Sequence, residues 1–126
     1  MSLDPIPEDV RRFVLLSVPS IPYLEAVMLF RREASRSLDA RQLAVALYIS
    51  ERAAAELLAS LAEAGVIRSV GQGFVFAPRD DALRQAIERL ADAYAEHLIG
   101  LTNLIHDATQ KSAKRFADAF RLRKDR

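Results

Sequence analysis

Cysteine and tryptophan are absent from this chain of 126 residues, and glycine occurs only four times. Without cysteine there is no disulfide and no thiolate metal site, which fits a reducing cytoplasm. Long apolar runs are missing too. The strongest short one, Phe13 to Leu16, lies beside charges, well short of the roughly 20 residues that a membrane span requires. The N-terminus carries acids and prolines where a signal peptide has a basic region before an apolar one, so neither a leader nor a membrane role is expected. Histidine is scarce. His97 and His106 stand nine positions apart on one predicted helix, and steps of about 100° put them on opposite sides. They cannot share a metal within one chain. No serine or threonine has a histidine placed by a known motif to activate it. Gly71-Gln72-Gly73 lacks the third glycine, the following helix and the lysine of a phosphate loop. Asp80-Asp81 is first of all a helix cap. The chain therefore reads as no enzyme, with no metal and no cofactor.

What is present is enough apolar material, 51% of residues, to bury a core. The length suits one domain with an added helical arm. The net charge of +1 hides an asymmetry. Residues 1–109 hold 11 basic and 15 acidic side chains, while residues 110–126 hold 7 basic and 2 acidic. The tail is the one dense positive patch available to a polyanion.

The most informative stretch runs from Leu38 to Ile67. Asp39 is placed to cap a helix, with Gln42 three residues on to reach back. Leu43, Ala44 and Leu47 give that helix an apolar side. Tyr48 and Ile49 make a link. Ser50 then caps a second helix whose Ala54, Leu57, Leu58 and Leu61 form its inner face. Gly65 stands where a helix closes in the left-handed region. Val66 to Val70 and Phe74 to Phe76 flank Gly71-Gln72-Gly73 and predict a hairpin, with both glycines supplying positive φ.

This pattern, LAVALYIS then AAELLASL then AGVI, resembles the helix-turn-helix of a winged-helix domain, most closely that of MarR-type transcription regulators. The resemblance covers about half the chain, and its motif is apolar spacing with one serine and one glycine. It implies a homodimer that binds duplex DNA. It also implies that a small aromatic molecule could bind near Tyr23, Met28, Tyr94 and His97, which are otherwise ordinary core residues.

Before this stretch, Pro7, Glu8 and Asp9 open a helix to about Val18, after a loose lead-in from Ser2 to Ile6. Val10, Phe13, Val14 and Val18 point inward, and Pro19 stops the helix. Ser20 and Pro22 open the next helix, to about Ala34, with Leu24, Val27, Met28 and Phe30 inside and Arg31, Arg32 and Glu33 in water. Ser35 to Leu38 reads as a turn. After the hairpin, Pro78 ends the wing and Asp80 or Asp81 caps one long helix. There Leu83, Ile87, Leu90, Tyr94, His97, Leu101, Leu104 and Ala108 fall at spacings of 4, 3, 4, 3, 4, 3, 4. This is a heptad seam. Ala86, Ala93, Leu98 and Ile105 widen it. The first seven seam residues are the expected dimer interface; the alternative is that the N-terminal helix covers the stripe within one chain. Gly100 implies a bend or a close neighbour. A separate basic helix from Ser112 to about Leu122 carries Phe116 and Phe120, surrounded by Lys111, Lys114, Arg115, Arg121, Arg123, Lys124 and Arg126.

The expected fold is mainly α with a small β-hairpin: a winged helix-turn-helix with its N-terminal helix over residues 1–79, and a long C-terminal dimerisation helix plus basic helix over 80–126. In a winged helix the second helix of the pair enters the major groove. Ser50 and the amides behind it would meet a phosphate. Arg52, with Glu51 and Glu56, would read base edges. Arg68 and Gln72 would approach from the wing, while Arg41 and the tail residues Lys111, Lys114 and Arg115 would hold phosphates. From Ser50 to Ala64 there are three acids against one base, so affinity must come from outside that helix. The alternative function is a winged-helix protein-interaction module that binds no DNA and engages a protein partner through the acidic helix face or the basic C-terminal helix.

Overall fold

The computed structural model describes residues 6–124, with side chains for all of them except Ser112 and residues 120–124. The expectations for the lead-in before Ile6, for Arg126, and for the side chains of Phe120, Arg121, Arg123 and Lys124 lie outside the described residues. The elements run α1 (Glu8–Ser17), α2 (Ile21–Arg32), α3 (Ala40–Leu47), α4 (Glu51–Glu63), β1 (Ile67–Val70), β2 (Gly73–Phe76), α5 (Asp81–Glu96) and α6 (Leu98–Lys124). The protein is mainly helical with one small antiparallel hairpin. No single helix among the described residues is long and apolar enough to cross a membrane. The chain divides into two compact units. One is Pro22–Ala91; the other joins the described residues of Met1–Ile21 with those of Asp92–Arg126. The N-terminal helix groups with α6, and most of α5 stays with the hairpin.

In the Pro22–Ala91 unit, the local signals fold as their chemistry dictates. Asp39 accepts from the Gln42 amide at 2.8 Å, and the Gln42 side chain accepts from the Asp39 amide at 2.9 Å. This reciprocal pair satisfies two amides that a helix start would otherwise leave open. Ser50 accepts from the Ala53 amide at 3.0 Å and caps α4. Helix α4 ends at Gly65, whose φ of 79° is left-handed. The Val66 amide reaches back to the Leu61 carbonyl and the Gly65 amide to that of Ala62, each at 3.0 Å. That is a Schellman closure. Arg79 locks it further, its guanidinium donating to the Ala64 carbonyl at 2.6 Å. A Cβ at Gly65 would lie 2.9 Å from the Arg79 Cδ.

The hairpin pairs Ile67 with Phe76 and Val70 with Gly73. That register leaves a two-residue loop, Gly71-Gln72. Gly71 has φ 60° and Gln72 is not left-handed, the pattern of a type II′ turn. Gly73 is needed for a different reason than expected. Its φ is not positive; a Cβ there would collide with the Ser37 hydroxyl and sit 3.1 Å from the Leu38 carbonyl oxygen. Leu38 belongs to no simple turn. Its amide donates to the Phe74 carbonyl and its carbonyl accepts from the Phe74 amide, both at 2.9 Å. This bridge lays the segment before α3 along the outer edge of β2. A single apolar residue between polar neighbours carries no period from which pairing could be read.

Phe30, Leu24, Leu38, Leu43, Leu61, Ile87 and Leu90 are the large side chains fully buried in this unit. Helix α2 is buried on nearly all sides, at Tyr23, Leu24, Ala26, Val27, Met28, Leu29 and Phe30. Leu47 and Leu57 are only half-buried. Arg31, expected in water, instead clasps Glu88 of α5 through two parallel bonds of 2.9 and 2.7 Å.

In the second unit α1 packs along α6 in the same direction. Ile6 lies opposite Gly100, 3.4 Å from where a Cβ would stand. Thr109 donates to the Pro19 carbonyl at 3.3 Å. Val10, Val14 and Val18 of the N-terminal segment and Ala93, Leu101 and Ile105 are buried. Phe13 is half-buried. A Cβ at Gly100 would make only an ordinary contact with Ile6, so this neighbour does not itself require glycine.

The single long helix expected from residue 81 to 108 is two helices, interrupted at His97. Gly100, a poor helix former, lies within one turn of the break. Within α6, Ile105 is buried with Leu101 while Leu104 is half-buried. The separate basic helix is likewise replaced. Beyond Gly100 no glycine or proline interrupts the chain, and α6 continues to Lys124.

The Arg31–Glu88 clasp makes a pH-dependent contribution. Hydrogen bonding from Arg31, aided by its charge and that of Arg84, holds the Glu88 carboxyl below its usual 4.5. A depressed carboxyl stabilises the fold above its unfolded value, and that contribution is lost as pH falls through the folded value. Because the Glu88 side chain is half exposed, the pair is worth about 0.5–1 kcal/mol. Glu88→Gln is expected to lower stability by that amount at pH 7 and to have a progressively smaller effect as pH falls below 4.5, measured by urea unfolding across that range.

Candidate nucleic-acid interface

The seven residues expected to meet DNA from the helix pair and wing all fall in the Pro22–Ala91 unit, and all are exposed. Arg41 lies in the first turn of α3. Ser50 caps α4, and Glu51, Arg52 and Glu56 follow on its outer side. Arg68 projects from β1 and Gln72 from the tip of the hairpin. Lys111, Lys114 and Arg115 are exposed on α6, in the other unit.

Ion pairing separates the arginines of the Pro22–Ala91 unit into two sets. Arg31 is held by Glu88, Arg36 by Glu33 at 3.0 Å, and Arg79 by the Ala64 carbonyl and by Asp80 at 3.5 Å. Arg41, Arg52 and Arg68, like Arg32 of α2, carry no ion pair among the described residues. Arg41, Arg52 and Arg68 stand on α3, on the first turn of α4 and on β1, one on each element. The outer side of α4 itself is Glu51, Arg52, Ala55, Glu56, Ala59, Ser60 and Glu63, all exposed. Its alanines and serine keep the surface low, and its acids keep it negative. The first amides of α4 have no intrahelical acceptor, and Glu51 already complements the positive end of the helix dipole.

Between the two helices lies a residue that sequence reasoning treated as a mere link. Tyr48 closes α3 with φ 58° and ψ 45°, the only left-handed non-glycine among the described residues. The amides of Tyr48 and Ile49 both return to the Ala44 carbonyl. As at Gly65, a left-handed residue is followed by an amide that reaches five residues back, but here the left-handed residue is tyrosine and its own amide bonds the same carbonyl. The Tyr48 side chain is 97% exposed, and Val45, one turn earlier, is 72% exposed. With Arg41 they form one exposed stripe along α3, at spacings of four and three. The available signal was the absence of glycine at the junction of two helices.

The expected dimer seam divides. Ile87, Leu90 and Leu101 are buried within the single chain, while Leu83, Tyr94, His97 and Leu104 are half-buried. Only these four remain partly open on that line. Tyr23 and Met28 are buried, and burial pushes the Tyr23 phenol up from 10.0. His97 stands 3.7 Å from the Glu96 carboxylate, and His106 lies 3.2 Å from the Gln110 amide. Among the described residues no three His, Cys, Asp or Glu side chains converge as metal ligands would.

Comparison with known proteins gives no match, whether to family models, to curated proteins or to solved structures.

A left-handed tyrosine costs about 1–2 kcal/mol of backbone strain, partly offset because glycine loses more freedom on folding. Tyr48→Gly is expected to raise stability by about 0.5–1 kcal/mol, read as a higher urea midpoint with an unchanged slope.

Proposed function

We propose that residues 22–91 form a winged helix-turn-helix that binds duplex DNA, and that the protein is a cytoplasmic, homodimeric transcription regulator resembling the MarR type. The element order supports this reading: a helix, an edge segment at Leu38, two capped helices, then a hairpin whose second strand pairs with that segment. The observation that carries it is the placement of Arg41, Arg52 and Arg68, exposed and without ion pairs among the described residues, on α3, the start of α4 and the hairpin.

In this mechanism α4 enters the major groove with its N-terminal turn foremost. Arg52 donates to a guanine edge, and Glu51 or Glu56 accepts from cytosine. Arg41 and Arg68 neutralise phosphates on either side. Gln72 reaches the backbone from the hairpin tip. Lys111, Lys114 and Arg115 add non-specific attraction. Because α4 is acidic, most of the affinity resides outside it, and its own contacts serve selectivity. The half-buried seam positions Tyr94, His97 and Leu104, all in the unit that holds α6, are the self-association line.

Binding to labelled generic duplex DNA across a salt series tests this. The logarithm of affinity is expected to fall with the logarithm of salt at about 0.9 per neutralised phosphate. Arg52→Ala is expected to cost about 1–3 kcal/mol at one base position of a selected site and to leave the others unchanged. Absence of binding at low salt overturns the reading. It would favour the protein-interaction alternative, which the acidic outer side of α4 and the 73% exposed Phe116 on basic α6 support.

A further inference from the structure

The Arg41–Val45–Tyr48 stripe has no role in the fold that explains it. An aromatic ring almost wholly in water contributes nothing to the core. A valine on the outer side of the same helix buries little more. The backbone at Tyr48 favours glycine, as Gly65 shows at the equivalent end of α4. Strain and an exposed apolar surface coincide at one residue, two positions before the cap of the helix proposed to enter the groove.

We infer that this stripe is a second DNA-contacting edge, with Tyr48 its principal contact. The inference rests on the proposed winged-helix function and names a residue outside the expected contact set. The link between α3 and α4 travels with the N-terminal turn of α4, so whatever that turn approaches, Tyr48 approaches as well. Arg41 and Arg52 flank the ring in sequence and supply the positive charge that suits a phosphate-lined surface. The ring and Val45 present apolar surface to a deoxyribose and to a thymine methyl, the apolar feature of the major groove. Tyr48 lies just past the last residue of α3, and its side chain there is almost wholly in water.

The edge differs from the arginines in what it does to salt dependence. An uncharged ring displaces no counterion. Tyr48→Gly is therefore expected to weaken duplex binding by about tenfold at every salt concentration, with the slope unchanged. Arg41→Ala is expected to reduce the slope by about one. Tyr48→Phe keeps the ring and is expected to bind within about threefold of the parent protein, since the contact is apolar. Val45→Ser removes the neighbouring apolar surface without touching the backbone and is expected to weaken binding in the same salt-independent way.

Thermal unfolding of each variant confirms that the fold persists. Tyr48→Gly suits the test because it relieves the backbone. If the parent binds duplex with a steep salt dependence and Tyr48→Gly binds within twofold of it, this inference is overturned and the winged-helix function stands. If Tyr48→Gly lowers the slope, the contact is not apolar and the inference also falls. If the parent binds no duplex at low salt, both fall together.

Discussion

Two backbone hydrogen bonds between Leu38 and Phe74 set the frame of the Pro22–Ala91 unit. They fasten the hairpin to the segment that leads into α3, so hairpin and helix pair cannot move independently. Their formation demands a bare backbone at Gly73, where any side chain would strike Ser37 and Leu38. Leu38 itself is fully buried, so the same residue joins the sheet edge and fills the core. No charged or amide side chain is buried among the described residues, and the Tyr23 phenol is the one hydroxyl that is. A core so poor in polar side chains fixes its arrangement through shape and through its edges. The capping box at Asp39, the Ser50 cap, the closure at Gly65 under Arg79 and the Leu38–Phe74 bridge are those edges.

Signals confined to a few neighbouring residues were readable from the sequence. Both helix caps, the Gly65 stop, the hairpin and the buried faces of α1 and α4 follow from chemistry within a turn or two of chain. What was not readable depended on partners distant in sequence. Leu38 pairs across 36 positions, and Gly73 is needed because of that pairing rather than for its φ. Arg31, still partly in water, is engaged because Glu88 of α5 reaches it. The heptad spacing persisted through His97 on paper, whereas the helix did not, since a period in side chains says nothing of a local weakness in the backbone. Three seam residues were taken up within the chain for the same reason: an apolar stripe states that it will be covered and not by what.

The candidate site shows the same division. Exposure of Arg41, Arg52, Arg68 and Gln72 follows from their places opposite the apolar positions. That Arg41, Arg52 and Arg68 carry no ion pair, while three arginines nearby are spent on the fold, appears only in three dimensions. An acidic helix flanked by unengaged arginines divides attraction from selectivity. Charge on the flanks would draw a polyanion in, and charge on the helix would penalise all but a few base edges. Such a surface rejects most sequences by repulsion as much as it selects by contact.

The three tyrosines stand at three grades of exposure: Tyr23 buried with its phenol pushed up, Tyr94 half-buried, Tyr48 almost wholly in water. The chain has no tryptophan to outshine them. Tyr23 and Tyr48 belong to one unit and Tyr94 to the other. Tyrosine emission is therefore unmasked in this protein, and replacing any two of the three by phenylalanine would leave one optical label confined to the interior of one unit, to its outer edge or to the second unit.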